Sequence, residues 1–354
     1  MTRFLFYSVL LIGGFGLLAC ETSPEVKEGI AATTKPRTAR QDTIAVLSKR
    51  IQENPNDPNL YYRRAKYSWE DGDTTLAMAD IDRALSLEPD NADYLYQRGA
   101  FHYMRGQDKA AWRDLDEAVR LKVANPDAYY LMGSIAYLRK DYAQALDWMD
   151  RAIKINDQLP IFYVGKALVY RDQGQIARAI AHANYALERD KQHLKALALL
   201  VDIHLNEQPD LQAARRFTYF MLEKDSLHPL ARFNMGIILY KESAQAAVGA
   251  QRQALLQKAI AQFDMAVGRD TRYANAYYMR GYMQQELGKL DAAEADYKQA
   301  LKLNPKDHRA AFMLGSIYER YEAWEKARTY YKQAVAAKPD FADAKAALQD
   351  LAGK

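Results

Sequence analysis

The residues of this chain with side chains most suited to catalysis, metal binding or covalent modification are one cysteine, Cys20, and six histidines. The histidines are His102, His182, His193, His204, His228 and His308. None of them stands at a recognised metal-ligand spacing from a second ligand, and motifs for zinc hydrolysis, serine nucleophiles and phosphate binding are absent. The carboxylates have the spacing of solvated helix faces paired with Lys and Arg. We therefore expect no catalytic residue, no metal and no cofactor, and the chain is not predicted to be an enzyme.

Cys20 ends an N-terminal segment that has the features of a secretory signal. Arg3 precedes an uncharged run from Phe4 to Leu18. This run is too short for a membrane span, which needs about 20 apolar residues. The ending Leu17-Leu18-Ala19-Cys20 resembles the bacterial lipobox. The resemblance implies that a signal peptide of residues 1–19 is removed and that Cys20 is the lipidation site, which anchors the chain to a membrane.

The residues that follow the cysteine predict where the protein resides. Residues 20–40 are polar, contain Pro24 and Pro36 and lack a helical period, so they predict a flexible tether behind the lipidated cysteine. In many two-membrane bacteria, Asp at the next position favours inner-membrane retention, and this chain has Glu21 instead. We expect a cell-envelope protein that is lipid-anchored in the outer membrane and faces the periplasm.

The bulk composition excludes one class of partner and one source of stability. The formal charge is +4, from 49 Lys and Arg and 45 Asp and Glu. Nucleic-acid binding requires a strong basic excess, so we expect no nucleic-acid partner. A single cysteine forms no internal disulfide, and packing must supply the stability.

The chain from residue 58 onward repeats itself at intervals of 34 residues. A small residue recurs in the middle of each predicted first helix: Ala65, Gly99, Gly133, Ala167, Gly236, Gly281 and Gly315, with Val201 as the variant. An alanine recurs in each second helix: Ala77, Ala111, Ala145, Ala179, Ala214, Ala259, Ala293 and Ala327. Small side chains let two helices approach closely. Gly72, Gly106, Gly174 and Gly288 fall in the turns between them, where a positive φ is accessible to glycine.

This pattern resembles the tetratricopeptide repeat, a helix-turn-helix unit of 34 residues. The resemblance implies an all-α fold, a right-handed α-α superhelix or solenoid of about eight repeats with capping helices at both ends. The solenoid covers residues 41–354. The predicted repeats are 58–91, 92–125, 126–159, 160–193, 194–228, 229–273, 274–307 and 308–341, with a cap at 342–354.

Two departures from the repeat are visible before and within the array. A lone helix is predicted from Thr43 to Asn54. The sixth repeat carries an insertion of about eleven residues between Leu239 and Ala259.

The resemblance implies that the first helices line a concave wall, where protein partners bind. The aromatic residues at two fixed positions of these helices, joined by Tyr282, are the candidate partner-binding residues. They are Tyr62, Trp69, Tyr96, Tyr103, Tyr130, Tyr137, Phe233, Tyr240, Tyr278, Tyr282 and Phe312. Aromatic side chains offer a large contact area at low entropic cost.

The leading functional hypothesis is a non-enzymatic scaffold or adaptor, tethered to the membrane, that assembles or presents other proteins or extended peptides. The alternative is a glycan-binding scaffold for polysaccharide export, because rows of aromatic rings also stack on sugars.

Overall fold

The computed structural model describes residues 39–246 and 249–353. This part of the chain contains eighteen α-helices and a final 3-10 helix, and no strand lies within it. The predicted all-α fold of helix pairs is therefore confirmed. Residues 1–19, Cys20 and the predicted tether up to residue 38 lie outside the described residues.

Contacts between Cα atoms divide the chain into two compact units, with the division between Val169 and Tyr170. The helices of unit 1 are α1 (Ala39–Glu53), α2 (Pro58–Glu70), α3 (Thr74–Leu87), α4 (Ala92–Met104), α5 (Asp108–Arg120), α6 (Pro126–Leu138) and α7 (Tyr142–Ile155). Helix α8 (Pro160–Asp172) contains the division. Helices α2, α4 and α6 each pack along the odd-numbered helix that follows, and the hairpins α2–α3, α4–α5 and α6–α7 are the best-packed pairs of the unit.

Unit 2 continues the same alternation of first and second helices. Its helices are α9 (Ile176–Arg189), α10 (Leu194–Asn206), α11 (Leu211–Lys224), α12 (Pro229–Gln245), α13 (Ala250–Arg269), α14 (Ala274–Glu286), α15 (Leu290–Leu303), α16 (His308–Arg320), α17 (Trp324–Ala337) and α18 (Ala342–Asp350), followed by the 3-10 turn Leu351–Gly353. Helix α18 packs on α17, and Ala344 and Leu351 are fully buried there. The last repeat thus has its apolar face covered, as a solenoid requires.

Local sequence chemistry explains where the first helices begin. Asp57 accepts a hydrogen bond from the backbone N–H of Asn59 (2.9 Å) and caps α2, and Pro58 occupies the first helical position. Asn125 caps α6 in the same way. Capping side chains satisfy N–H groups that the helix leaves without partners, and proline lacks the N–H in any case.

The turns inside the repeats use the left-handed backbone conformation. Gly72, Gly106, Gly174 and Gly288 have φ values between 69° and 93°, as their positions predict. Lys140 and Glu322 occupy the equivalent turn in repeats three and eight with φ of 60° and 56°. The turn geometry is therefore maintained even where the residue is not glycine.

Small residues bring the two helices of a repeat into close contact. Ala65, Ala77 and Ala84 of the first repeat are all fully buried. In repeat three, a Cβ added to Gly133 would lie 2.9 Å from Met149 Cγ and 3.1 Å from the carbonyl oxygen of Ala145. Any larger side chain at Gly133 would have to push α6 and α7 apart.

We expect Gly133→Leu to lower the free energy of unfolding by roughly 1–3 kcal/mol, because Met149 can move but the Ala145 carbonyl cannot. Urea unfolding followed by circular dichroism measures the change. The matched control is Gly268→Ala in α13, where an added Cβ meets nothing within 4 Å. Alanine is the better helix former, so this variant should be as stable as the wild type or more stable. Equal effects of the two substitutions would contradict the packing described here.

The structure corrects one predicted boundary and shows how the insertion changes the helices of repeat six. Helix α1 starts at Ala39, inside the predicted tether of residues 20–40, and Arg40 donates a hydrogen bond to the Glu70 carbonyl (2.8 Å) at the end of α2. The insertion in repeat six lengthens both of its helices: α12 has 17 residues and α13 has 20, whereas other repeat helices have 13 or 14. None of the described helices is long and apolar enough to cross a bilayer.

Candidate protein-binding surface

Six candidate aromatic residues lie together in unit 1. We call them the unit 1 aromatic surface: Tyr62 and Trp69 on α2, Tyr96 and Tyr103 on α4, and Tyr130 and Tyr137 on α6. The two residues of each pair are seven positions apart and share one helix face. All six side chains are half-buried, so each has an exposed portion beside its packed portion. Helices α4 and α6 contact each other directly, which brings their aromatic residues to one side of the unit.

Helix α2 packs both of its aromatic candidates against the next first helix, α4. Trp69 stacks on Phe101 with ring centroids 4.2 Å apart and 6° between the ring planes. Tyr62 contacts Tyr94 at 5.0 Å. One face of the Trp69 indole is therefore covered by the protein itself. A partner can therefore contact only the opposite face or the edge of this ring.

Three tyrosine hydroxyls of this surface, those of Tyr96, Tyr103 and Tyr130, have a raised pKa. Burial raises the pKa of Tyr96 to about 12, and it also raises the pKa of Tyr103. Burial raises the pKa of Tyr130 to about 12 as well. These phenols remain protonated at any physiological pH, so they offer hydrogen-bond donors and acceptors next to apolar ring area. This combination suits an extended peptide backbone with mixed side chains.

The aromatic candidates of unit 2 differ from those of unit 1 in how much of each side chain is exposed. Phe233 and Tyr278 are each only 7% exposed, so their rings have almost no surface for a partner. Phe263 and Tyr297 of the opposing second helices pack on Phe233 and Tyr278 at 5.6 and 5.8 Å, and Tyr273 and Arg309 cover the same two rings. These two candidates are packing residues.

The other unit 2 candidates keep partial exposure. Tyr240 and Tyr282 meet edge to face at 5.8 Å, and both are half-buried. Phe312 is half-buried between Tyr331 (5.4 Å) and Phe341 (5.2 Å). The exposed aromatic area of unit 2 is therefore interrupted, whereas that of unit 1 is continuous over three repeats.

Buried ion pairs between the two helices of a repeat were not foreseen from the sequence. Arg64 forms two hydrogen bonds of 2.7 Å each with Asp80, Arg98 pairs in the same way with Asp114, and Arg280 with Asp296. The three aspartates are at most 5% exposed. Each arginine directly precedes the small residue of the first helix, and each aspartate lies 16 residues later. This 16-residue spacing was the signal that could have predicted them.

Two of these arginines also reach the second helix of the preceding repeat. Arg98 donates a hydrogen bond to Asp82 (3.0 Å), and Arg280 donates one to Asp264 (2.7 Å). Both outer carboxylates are more than half exposed. The guanidinium of Arg98 or Arg280 therefore connects the two helices of its own repeat and also contacts the second helix of the preceding repeat.

The histidines occupy structural positions. His102 Nδ1 lies 2.7 Å from Gln107 Oε1, across the turn of repeat two. His193 and His228 precede the first helices of repeats five and six, and burial lowers the pKa of both. Within residues 39–246 and 249–353, no group of three His, Cys, Asp or Glu residues is arranged to hold a metal ion.

Solved structures show the same fold. One chain of the APC/C hetero-tetramer Cut9-Hcn1 is 16% identical with a TM-score of 0.58; the match covers 88% of this chain and about three fifths (59%) of that chain. A tetratricopeptide repeat protein from Parabacteroides merdae is 19% identical with a TM-score of 0.53, over 73% of this chain and 98% of that one. A monomeric mutant of IFIT1, solved with Gppp-AAAA, is 15% identical with a TM-score of 0.60, over 88% and 77%. Identities this low are informative about the fold alone.

Sequence comparisons agree with the repeat assignment. No curated protein sequence matches the chain significantly. Three family models described as tetratricopeptide repeat match residues 58–91, 126–159, 164–218 and 278–340. These ranges cover slightly more than half of the chain and agree with the helix pairs of the structure. The chain belongs to the tetratricopeptide repeat family.

Proposed function

We propose that this protein is a non-enzymatic scaffold that binds a segment of another protein on the unit 1 aromatic surface. The observation that carries the proposal is the continuous row of six half-buried aromatic side chains on three successive first helices. Repeats of this family generally mediate protein–protein interaction. The proposal assigns that general role to a particular surface of this chain.

The chemistry of the surface favours an extended peptide segment. Large rings with polar tips supply contact area with few rotatable bonds, and they are enriched where partners bind most tightly. The hydroxyls of Tyr96 and Tyr103 can exchange hydrogen bonds with peptide groups. Affinity purification of the tagged full chain from its native host, followed by binding assays with fragments of each recovered protein, tests this. The proposal requires at least one fragment that binds in extended form and competes with its parent protein.

A second element of the proposed function is a lipid anchor on Cys20. The support comes from the sequence: an apolar leader, the Leu-Leu-Ala-Cys ending and a polar segment before α1. The anchored protein would lie in the cell envelope, in the outer membrane facing the periplasm. Glu21 supports this location, because Asp at this position favours retention in the inner membrane. The array would then present bound proteins at a membrane surface.

Changing Cys20 to Ser should move the protein from the membrane fraction to the soluble fraction, since serine offers no thiol for acylation. Metabolic labelling with a radioactive fatty acid should give a labelled band for the wild type and none for the variant. A band of equal intensity in the variant would contradict the assignment of Cys20 as the lipid acceptor.

A further inference from the structure

A half-buried carboxylate, Asp127, lies beside the rings of the unit 1 aromatic surface. It is the second residue of α6. Burial is the main cause of the raised pKa of Tyr96 and Tyr130, and the negative charge of Asp127 adds to it in both, so the carboxylate lies near both phenols. The side-chain amide of Asn125, which caps α6, donates a hydrogen bond to the Tyr96 hydroxyl. The end of α6 and the middle of α4 thus meet around one acidic group.

No cation of the neighbouring first helices neutralises Asp127. Burial raises the pKa of this carboxyl, and no Lys or Arg in the described part of the chain opposes that effect. Helix α6 contains neither Lys nor Arg. Helix α4 contains a single one, Arg98, whose guanidinium is bound to Asp114 and Asp82. A charge that loses water without gaining a counter-ion is disfavoured, so Asp127 would be stabilised by a cation from outside the chain.

The helix dipole does not by itself explain where Asp127 lies. A carboxylate in the first turn does stabilise the N-terminus of a helix. Asp93, the equivalent residue of α4, has this role while it is exposed to water. Asp127 is instead partly withdrawn from water beside two aromatic rings, which the dipole does not require. The two carboxylates also place negative charge at the same position of consecutive repeats.

The last two repeats of unit 2 have a cation at the position that Asp127 occupies in unit 1. Tyr278 of repeat seven is equivalent to Tyr96 of repeat two, and Arg309 of repeat eight is equivalent to Asp127 of repeat three. Arg309 therefore shows how a guanidinium is accommodated beside a tyrosine at this position of the repeat.

The Arg309 guanidinium lies over a ring and is held by polar groups around it. Its central carbon is 4.6 Å from the centroid of the Tyr278 ring. It donates hydrogen bonds to Asn275 (3.2 Å) and to Asp307 (3.1 Å). In unit 2 the chain thus covers this tyrosine with its own cation, whereas unit 1 has a ring and an anion at the equivalent positions.

We propose that the segment bound by the unit 1 aromatic surface carries a basic side chain, which pairs with Asp127 and packs against the ring of Tyr96. This inference rests on the proposed function and specifies the partner as a basic peptide segment. The face of an aromatic ring attracts a cation, and a carboxylate accepts two parallel hydrogen bonds from a guanidinium. Arginine satisfies both interactions with one planar group, so arginine is preferred over lysine.

Selection from a displayed library of random linear peptides tests this inference. The immobilised full chain is compared with its variants Asp127→Asn, Asp127→Lys and Asp116→Asn. We expect the wild type to enrich peptides that have Arg or Lys at one fixed position among apolar residues. Asp116 is an exposed carboxylate on α5, so Asp116→Asn is the matched control and should enrich the same peptides. Both asparagine variants remove one negative charge, so a difference between them reports the position of the charge.

The affinity of one selected peptide is then measured by calorimetric titration. Asp127→Asn should bind this peptide roughly tenfold more weakly, and Asp127→Lys roughly a hundredfold, because the lysine places like charges together. A peptide with Glu in place of its basic residue should bind the wild type poorly and regain affinity for Asp127→Lys. Recovery by charge exchange cannot arise from a folding defect, and circular dichroism should show equal helicity in all variants.

The outcomes separate this inference from the proposed function. Enrichment by the wild type of peptides that lack a common basic position would overturn the inference and leave the proposed function in place. Equal affinity of the wild type and Asp127→Asn for the selected peptide would also overturn it, as would the absence of recovery in the charge exchange. A wild-type chain that enriches no peptide at all would contradict the proposed function, and this inference with it.

Discussion

A chain with Tyr62, Tyr96 and Tyr103 all replaced by alanine will keep its helical content and lose its protein partner. These side chains belong to three positions of α2 and α4 that are half-buried, so part of each ring is available for contact. Truncating one central aromatic anchor often costs about 2 kcal/mol of binding free energy. We expect the triple variant to bind its partner roughly a hundredfold more weakly or worse in a calorimetric titration. Tyr130 is left in place because its ring packs directly over Gly165, where an added Cβ would lie 2.9 Å from it, so its loss would leave a cavity.

The control for this experiment uses the second helices of the same repeats. Arg83→Ala, Glu117→Ala and Lys154→Ala together should leave both affinity and helicity unchanged, because these residues lie on α3, α5 and α7. Normal binding by the tyrosine variant would place the partner elsewhere, and loss of binding by the control variant would contradict the assignment of the first helices. A tyrosine variant that unfolds would show that the rings serve packing.

The second large effect concerns the buried ion pairs. Arg280→Met should lower the free energy of unfolding by about 3 kcal/mol or more, because Asp296 is 5% exposed and would lose both of its hydrogen bonds from the guanidinium. The hydrogen bonds that Arg280 donates to Asp296 also raise the pKa of Arg280, so the folded protein favours the charged guanidinium. The shift of the urea unfolding transition measures the loss.

The matched control removes the outer partner of the same arginine. Asp264 accepts one hydrogen bond from Arg280, and its side chain is 54% exposed. Exposed ion pairs contribute about 0–1 kcal/mol, so Asp264→Asn should have a small effect. If both variants shift the transition equally, the distinction between the inner and the outer carboxylate is wrong.

Residue spacing was sufficient to reveal the resemblance that implied the fold, because the repeat uses a few positions that tolerate little change. Gly99 is an example: an added Cβ would lie 2.9 Å from Leu115 Cγ, so only a small residue fits. Such positions recur at the same place in most repeats, so a single sequence is enough to reveal them. The starts of these first helices could also be predicted, because a capping residue followed by proline marks them in the local sequence.

The features that were missed depend on contacts between residues far apart in the chain. The burial of Phe233 depends on Phe263 and Tyr273, which lie 30 and 40 residues further along the chain and both pack on its ring. The insertion in repeat six was visible as an interruption of the period, but periodicity alone does not show that it adds turns to α12 and α13, where Ser243 and Leu256 are buried.

Site-specific photo-crosslinking in the native host tests the central claim most directly. A photoreactive phenylalanine analogue would replace Tyr96 or Tyr103 on α4, and, in separate strains, Arg83 on α3 or Lys154 on α7. Our account predicts that illumination gives a discrete protein adduct from both α4 positions and none from Arg83 or Lys154, and that excess partner fragment suppresses the adduct. Adducts of equal yield from all four positions, or from Arg83 and Lys154 alone, would contradict the claim that the unit 1 aromatic surface binds a protein partner.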